Sequence, residues 1–325
     1  MENKTLQWRS SELHEPDLVV DSRNIVAKKQ HLRSIEDLCY GSLGLNLKEL
    51  TLLVNFIKKI DRKIHIYGVG IELGAGSGFL SSEFLSQNID IDKIYAIEIS
   101  KEHVELIIPK VMRDRLSEDI YPKLVPVIGS FDEIQLEDNS VDFAFEIHSL
   151  HHSDNLETTL KEVCRVLKPG GKLICFDRSH PDFTTDYDIK KMLDLEYDQD
   201  SLFKIGFPKG TILTRRGNGE HEYRVGEWVA MFERNGLNVL EVEHIGNKFS
   251  SNKFFRGLIS KIPYSIRILV FRHFLYFLSP HKREVILSKD LVSRAGELQY
   301  EIAKLFQPKW KKFTRPYSIF ICEKI

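Results

Sequence analysis

The chain has 325 residues, 42% hydrophobic and 29% charged, with a formal net charge of −1 at pH 7. That content fits a globular chain with a full core, folded as one elaborated domain or two small ones, and the lack of overall basicity disfavours a nucleic-acid partner. Cys39, Cys164, Cys175 and Cys322 stand far apart, which argues against a disulfide framework or a thiolate zinc site and makes a reducing, cytoplasmic setting the simplest expectation.

The opening stretch MENKTLQWRSSELHEPDL is acidic and has no apolar run. It does not read as a secretory signal, and no run approaches the ~18 apolar residues of a spanning helix. Two helix-like segments follow between 23 and 60. The second, 45–60, spaces Leu47, Leu50, Leu53, Val54 and Ile57 at helical intervals, so 1–64 is expected to be a helical cap. From there strand-like runs alternate with amphipathic segments. YGVGIELG precedes SGFLSSEFLSQ, KIYAIEI precedes SKEHVELIIPKVM, and KLVPVIG stands alone. VDFAFEIH then leads to NLETTLKEVCRVL, and GKLICFD follows. Strands rich in Ile, Val and Phe that alternate with helices predict an α/β fold with a parallel, doubly wound sheet. After Asp177 an acidic loop region is expected, then a helix over 227–236 and a strand over 237–245. Residues 246–312 read as a helical insertion, and 313–325 as the return to the 65–245 core through a last strand.

Gly74, Gly76 and Gly78 in IELGAGSGFLS fall where the first core strand turns into its helix, the place where open α/β sheets bind ligands. No Lys-Ser/Thr follows, which excludes a phosphate-binding P-loop, and the spacing differs from the dinucleotide Gly-x-Gly-x-x-Gly. Glu72, just ahead, is a poor neighbour for a pyrophosphate and a good one for an ammonium group. Glu98, at the end of the second strand, can accept both hydroxyls of a ribose. A ligand with a ribose and a cationic end is expected.

ELGAGSG, the acidic end of IYAIEIS, VDFAFEIHSLHH and EVCRVLKPGGKLICFD together resemble the class I S-adenosylmethionine-dependent methyltransferases, in the branch that methylates small molecules and lipids. The resemblance implies a doubly wound, mostly parallel sheet of seven strands whose last strand is antiparallel. It implies S-adenosylmethionine as cofactor, with Glu72, Gly74, Ala75, Gly76 and Gly78 around the methionine portion and Glu98 on the ribose. Ile99, Ser130, Phe131 and Glu146 complete the cofactor set. At the third strand this chain has Gly129-Ser130-Phe131-Asp132 where the family shows Gly-Asp, so Ser130 or a shifted Asp132 is expected at the adenine amino group.

Candidate catalytic residues follow the fourth and fifth strands. His148, His151 and His152 lie in IHSLHHSDN, with Asp177, Arg178 and His180 in FDRSHPD. Histidine titrates in the range a base needs, although a substrate-shaping role fits His151 and His152 equally well. In GEHEYR, Glu220, Glu222 and Arg224 would share one face and His221 the other, and a solvated charged hairpin is slightly favoured there over a catalytic His221. No metal-ligand spacing occurs. Finally, 246–283 has no Asp or Glu but eight Lys or Arg, interleaved with aromatics such as Phe271, Phe274 and Phe277. That mixture suits a lid or a peripheral contact with an anionic inner membrane surface. The expected function is methyl transfer to a small-molecule, glycan or lipid-linked acceptor, with oxygen favoured. The alternative is a non-catalytic relative that serves as a scaffold or partner-binding subunit.

Overall fold

The structure, a computed structural model, describes residues 5–8, 24, 27, 28, 34, 64–87, 90–180, 182, 184–205, 207–245 and 317–325. The expected helix over 45–60 and the insertion over 246–312 lie outside the described residues, as does most of the cap.

The first core strand, β2 (Gly68–Leu73), follows β1 (Leu6–Gln7) in chain order and leads through the glycine loop into α1 (Phe79–Gln87). Next come β3 (Ile91–Glu98), a π turn over His103–Ile107, α2 (Ile108–Arg115), β4 (Leu124–Ile128) and β5 (Val141–Ile147). A 3-10 turn at Leu150–His152 precedes α3 (Leu156–Val166), and β6 (Leu167–Arg178) follows. The chain continues through α4 (Asp186–Leu193), α5 (Gln199–Ile205), α6 (Val225–Arg234), β7 (Leu237–Ile245) and β8 (Tyr317–Lys324). The strand order β1-β4-β3-β2-β5-β6-β8-β7 is parallel except for β8, which runs antiparallel to both neighbours.

Two expectations need correction. The sheet has eight strands, because Leu6–Gln7 pairs with Val127 and Ile128 on the open edge of β4. Two residues have no periodicity to read, and this pairing is fixed by Trp8, which packs against Gly129 next door. The region after Asp177 contains α4 and α5. The start of α4 is set by Thr185, whose hydroxyl accepts from the Asp188 N–H at 3.1 Å.

Strands buried on both faces divide the core in two. Phe84, Phe143, Phe145, Ile174 and Ile319 belong to one side, and Leu160, Val163, Trp228, Phe232 and Phe320 to the other. This double burial explains why β2, β5 and β6 read as near-continuous apolar runs. The order of strands reverses between β2 and β5, so the crevice for a ligand opens at their carboxyl ends.

Candidate active site at the carboxyl edge

The three loop glycines are all in the left-handed region, with φ of 72°, 52° and 71° at Gly74, Gly76 and Gly78. Their reasons differ. A Cβ on Gly74 would lie 2.5 Å from Ser149 Cβ, and one on Gly78 would lie 2.9 Å from Ile108 Cγ2, so these two admit the chain's own side chains. Among the described residues a Cβ on Gly76 would meet nothing within 4 Å, so none of them blocks the approach of a ligand. The Gly76 N–H donates to Glu98 Oε2 at 2.8 Å, and the Ser100 N–H donates to Oε1 at 3.0 Å. Both carboxylate oxygens are thereby aimed, each with a further lone pair for a hydroxyl.

Glu72 is 3% exposed in the middle of the sheet, with the Ser81 hydroxyl of α1 donating to it. Burial pushes its pKa up to about 8; the Ser81 bond opposes this, and the nearby Glu98 charge adds to it. A buried carboxylic acid of this kind ionises readily only when a cation arrives. Ala75 is buried and its N–H donates to the Ile97 carbonyl, and Ile99 is half-buried. These features fit the cationic methionine end and the ribose of S-adenosylmethionine.

At the end of β4, Ser130 is half-buried and its Oγ accepts from the Asp132 N–H at 3.1 Å, while Phe131 packs into the core. The Asp132 carboxylate is turned to α3, where it takes the Thr159 hydroxyl and the Ser153 hydroxyl. Glu146, at the end of β5, is held by the loop that follows it. Its side chain is fully buried, and its Oε2 accepts from the Ser149 and Leu150 N–H groups, with Ser149 Oγ 3.0 Å away. Burial first, and then Asp177, raises its pKa. It is a strut beneath the histidine loop, because the chain doubles back over β5 at His148, whose φ is 56°.

The histidines divide by partner. His148 stacks between Phe176 and Tyr317, with ring centroids 4.9 and 4.4 Å away. His151 Nδ1 lies 2.6 Å from Asp177 Oδ1, its backbone N–H donates to Oδ2, and both side chains are buried. Asp177 is pushed up to about 6 by burial, against the opposing effect of His148. The His152 ring is half-buried, 4.3 Å from that of His151. His180 Nε2 lies 2.6 Å from Glu222 Oε2.

The expectation of a solvated hairpin at GEHEYR is overturned. Glu220 and Glu222 are 3% and 6% exposed. Arg178 pairs with both, and Arg215 donates to Glu222 at 2.8 Å. Burial works against the Glu222 charge, but His180 and the two guanidiniums outweigh it and hold its pKa well below the usual range. Arg224 leaves this cluster, pairing instead with Glu227 in the first turn of α6 and with Asp186 at the start of α4. His221 is bound from the other side, its N–H donating to the His151 carbonyl at 2.8 Å. The structure thus gathers His151, His180 and His221 above β5 and β6. Ser149, whose hydroxyl donates to the Leu73 carbonyl at 2.6 Å, ties that group to the glycine loop. Ser149, Ser81 and Arg215 were not singled out from sequence; only the position of Ser149 inside IHSLHH could have pointed to it. Among the described residues no three His, Cys, Asp or Glu side chains form a metal-binding group.

Residues 71–175 match the model of the family described as methyltransferase domain. The sterol 4-C-methyltransferase strm-1 of Caenorhabditis elegans is 31% identical over 156 residues, 44% of this chain and 41% of that protein. The ubiquinone/menaquinone biosynthesis C-methyltransferase of Chromobacterium violaceum is 29% identical over 149 residues, 45% of this chain and 54% of that protein. The chain therefore spans less than two thirds of either relative. Among solved structures, a Galdieria sulphuraria protein provisionally named a sarcosine dimethylglycine methyltransferase aligns with TM-score 0.53 at 17% identity, over 94% of this chain and 98% of that one. The [4+2]-cyclase SpnF aligns with TM-score 0.50 at 14% identity, over 83% of this chain and 80% of that one. At such identities the likeness is one of fold. The family match and the strand order together show a methyltransferase domain over residues 71–175.

Proposed function

We propose that this chain transfers the methyl group of S-adenosylmethionine to a lipid-like small molecule. The observation that carries the reading is the pair of buried carboxylates flanking an open Gly76: Glu72 for the ammonium and Glu98 for the ribose. Ser130 is the residue proposed for the adenine; its hydroxyl is 3.5 Å from Asp132 Oδ2, while Oδ1 takes the Thr159 and Ser153 hydroxyls. When bound, the cofactor supplies a sulfonium methyl. The chain supplies position, exclusion of water and a place for the acceptor's proton.

The acceptor class rests on two supports. Relatives that match over the core are named for sterol, demethylmenaquinone and squalene methylation, all apolar and some at carbon. Those names favour carbon over the oxygen expected from sequence. Secondly, β7 ends and β8 begins at the carboxyl edge, where Ile245 pairs with Tyr317 beside Arg178. The acid-free, aromatic-rich stretch 246–283 begins the segment that joins them in sequence, and the two ends of that segment flank the site. The test is incubation with methyl-tritiated S-adenosylmethionine and a total lipid extract. Label is expected in an apolar product. Cofactor binding without label transfer would favour a non-transferring relative, a reading kept open by the cyclase that shares this fold.

A further inference from the structure

Of the histidines gathered at the carboxyl edge, His151 and His180 each commit a ring nitrogen to a buried carboxylate, and both are themselves buried. His221 differs in partner and exposure. It follows a left-handed Gly219 and sits between Glu220 and Glu222, which turn inward to Arg178 and Arg215, so its ring takes the opposite side and is half-buried. Its Nδ1 lies 3.2 Å from the His151 carbonyl oxygen. A carbonyl only accepts, so Nδ1 carries the proton of the neutral ring and the lone pair is on Nε2. Among the described residues Nε2 meets no hydrogen-bond partner, and it is not one of the sealed polar atoms.

The place of this ring follows from contacts. His221 is bonded to His151, two residues from Ser149, and Ser149 touches Gly74 and the Leu73 carbonyl at the methionine end of the cofactor cradle. We propose that His221, through Nε2, is the base that receives the acceptor's proton, with His151 as the positioning residue that fixes its tautomer. The proposal rests on the methyltransferase reading. The new bond forms from an acceptor electron pair to the methyl carbon, and the carbon–sulfur pair stays on sulfur. One proton leaves the acceptor, during attack for a hydroxyl or amine and afterwards for a carbon. It goes to Nε2 and gives an imidazolium, so the single positive charge is conserved. Tyr223, stacked at 6.2 Å, is held as a neutral phenol by burial and does not compete.

The experiment is peptide mapping of diethyl pyrocarbonate modification on the full chain, with and without saturating S-adenosylhomocysteine, whose binding is followed by calorimetry. Of His151, His180 and His221, only His221 is expected to react in the free protein, and the ligand should slow it at least about fivefold. Unchanged His221 reactivity at proven saturation, or faster reaction at His151 or His180, overturns the proposal alone. Absence of binding overturns the cofactor reading and the proposal with it. His221→Asn, which retains a donor for the His151 carbonyl, should bind cofactor within about twofold of wild type yet lose label transfer by about a hundredfold or more. Undiminished transfer by that variant also overturns it.

Discussion

At the scale of single residues, the glycine loop separates packing from binding. Gly78→Ala is expected to lower the melting temperature, because its Cβ would meet Ile108 in a backbone region that L side chains rarely adopt. Glu98→Ala should weaken cofactor binding by about 1 to 3 kcal/mol, the range for losing charge-assisted hydrogen bonds; an unchanged dissociation constant would mean that the ribose lies elsewhere. Glu72 carries a pH signature. With a pKa of about 8 in the free protein it is protonated at pH 6.5, and pairing with the cofactor ammonium must drive its proton off. Calorimetry at pH 6.5 in buffers of different ionisation enthalpy should therefore report release of close to one proton, absent in Glu72→Gln, and affinity should rise with pH toward 8. Binding heats that do not depend on the buffer would contradict this. The left-handed turn at Gly74, Gly76 and Gly78 was legible in sequence because such a backbone needs fixed residue types at fixed spacing. The bonds that Glu146 makes to the loop after β5 were not legible, because sequence cannot tell which backbone N–H groups a buried carboxylate will meet.

At the scale of elements, the segment Glu220–Arg224 shows what a sequence hides. Its charges look like a solvent-facing strip, since their partners Arg178 and His180 lie some forty residues earlier along the chain. Burial makes the difference in energy large. Glu222→Ala should destabilise the fold by about 3 to 5 kcal/mol in denaturant unfolding, because two guanidiniums would be left buried without their shared carboxylate. Asp194→Ala, at the exposed Arg216–Asp194 pair, should cost under about 1 kcal/mol. Equal effects would mean that the cluster is open to water. Because Glu222 is held below its ordinary pKa, its contribution is present above that ordinary value and is lost as pH falls through the lower, folded one. Parallel strands were readable throughout, being apolar on both faces. The helix α4 was passed over despite Thr185 and Asp188 at its start, a capping pattern outweighed by the acidity around it.

At the scale of the whole molecule, the carboxyl edge of one sheet brings together the cofactor cradle from β2 and β3, the histidine loops from β5 and β6, and the two attachment points of the segment between β7 and β8. The opposite flank is closed by Leu6–Gln7 and by Trp8, which covers Gly129 at the end of β4. The sheet order was foreseeable from alternation and family resemblance, whereas this flank depended on a contact that no local pattern encodes. The space beside Gly76 is the place proposed for S-adenosylmethionine. Calorimetric titration of wild type and Gly76→Val with S-adenosylhomocysteine tests it most directly. Micromolar binding to wild type and none detectable to a folded Gly76→Val is expected, while equal affinity for both would put the ligand elsewhere.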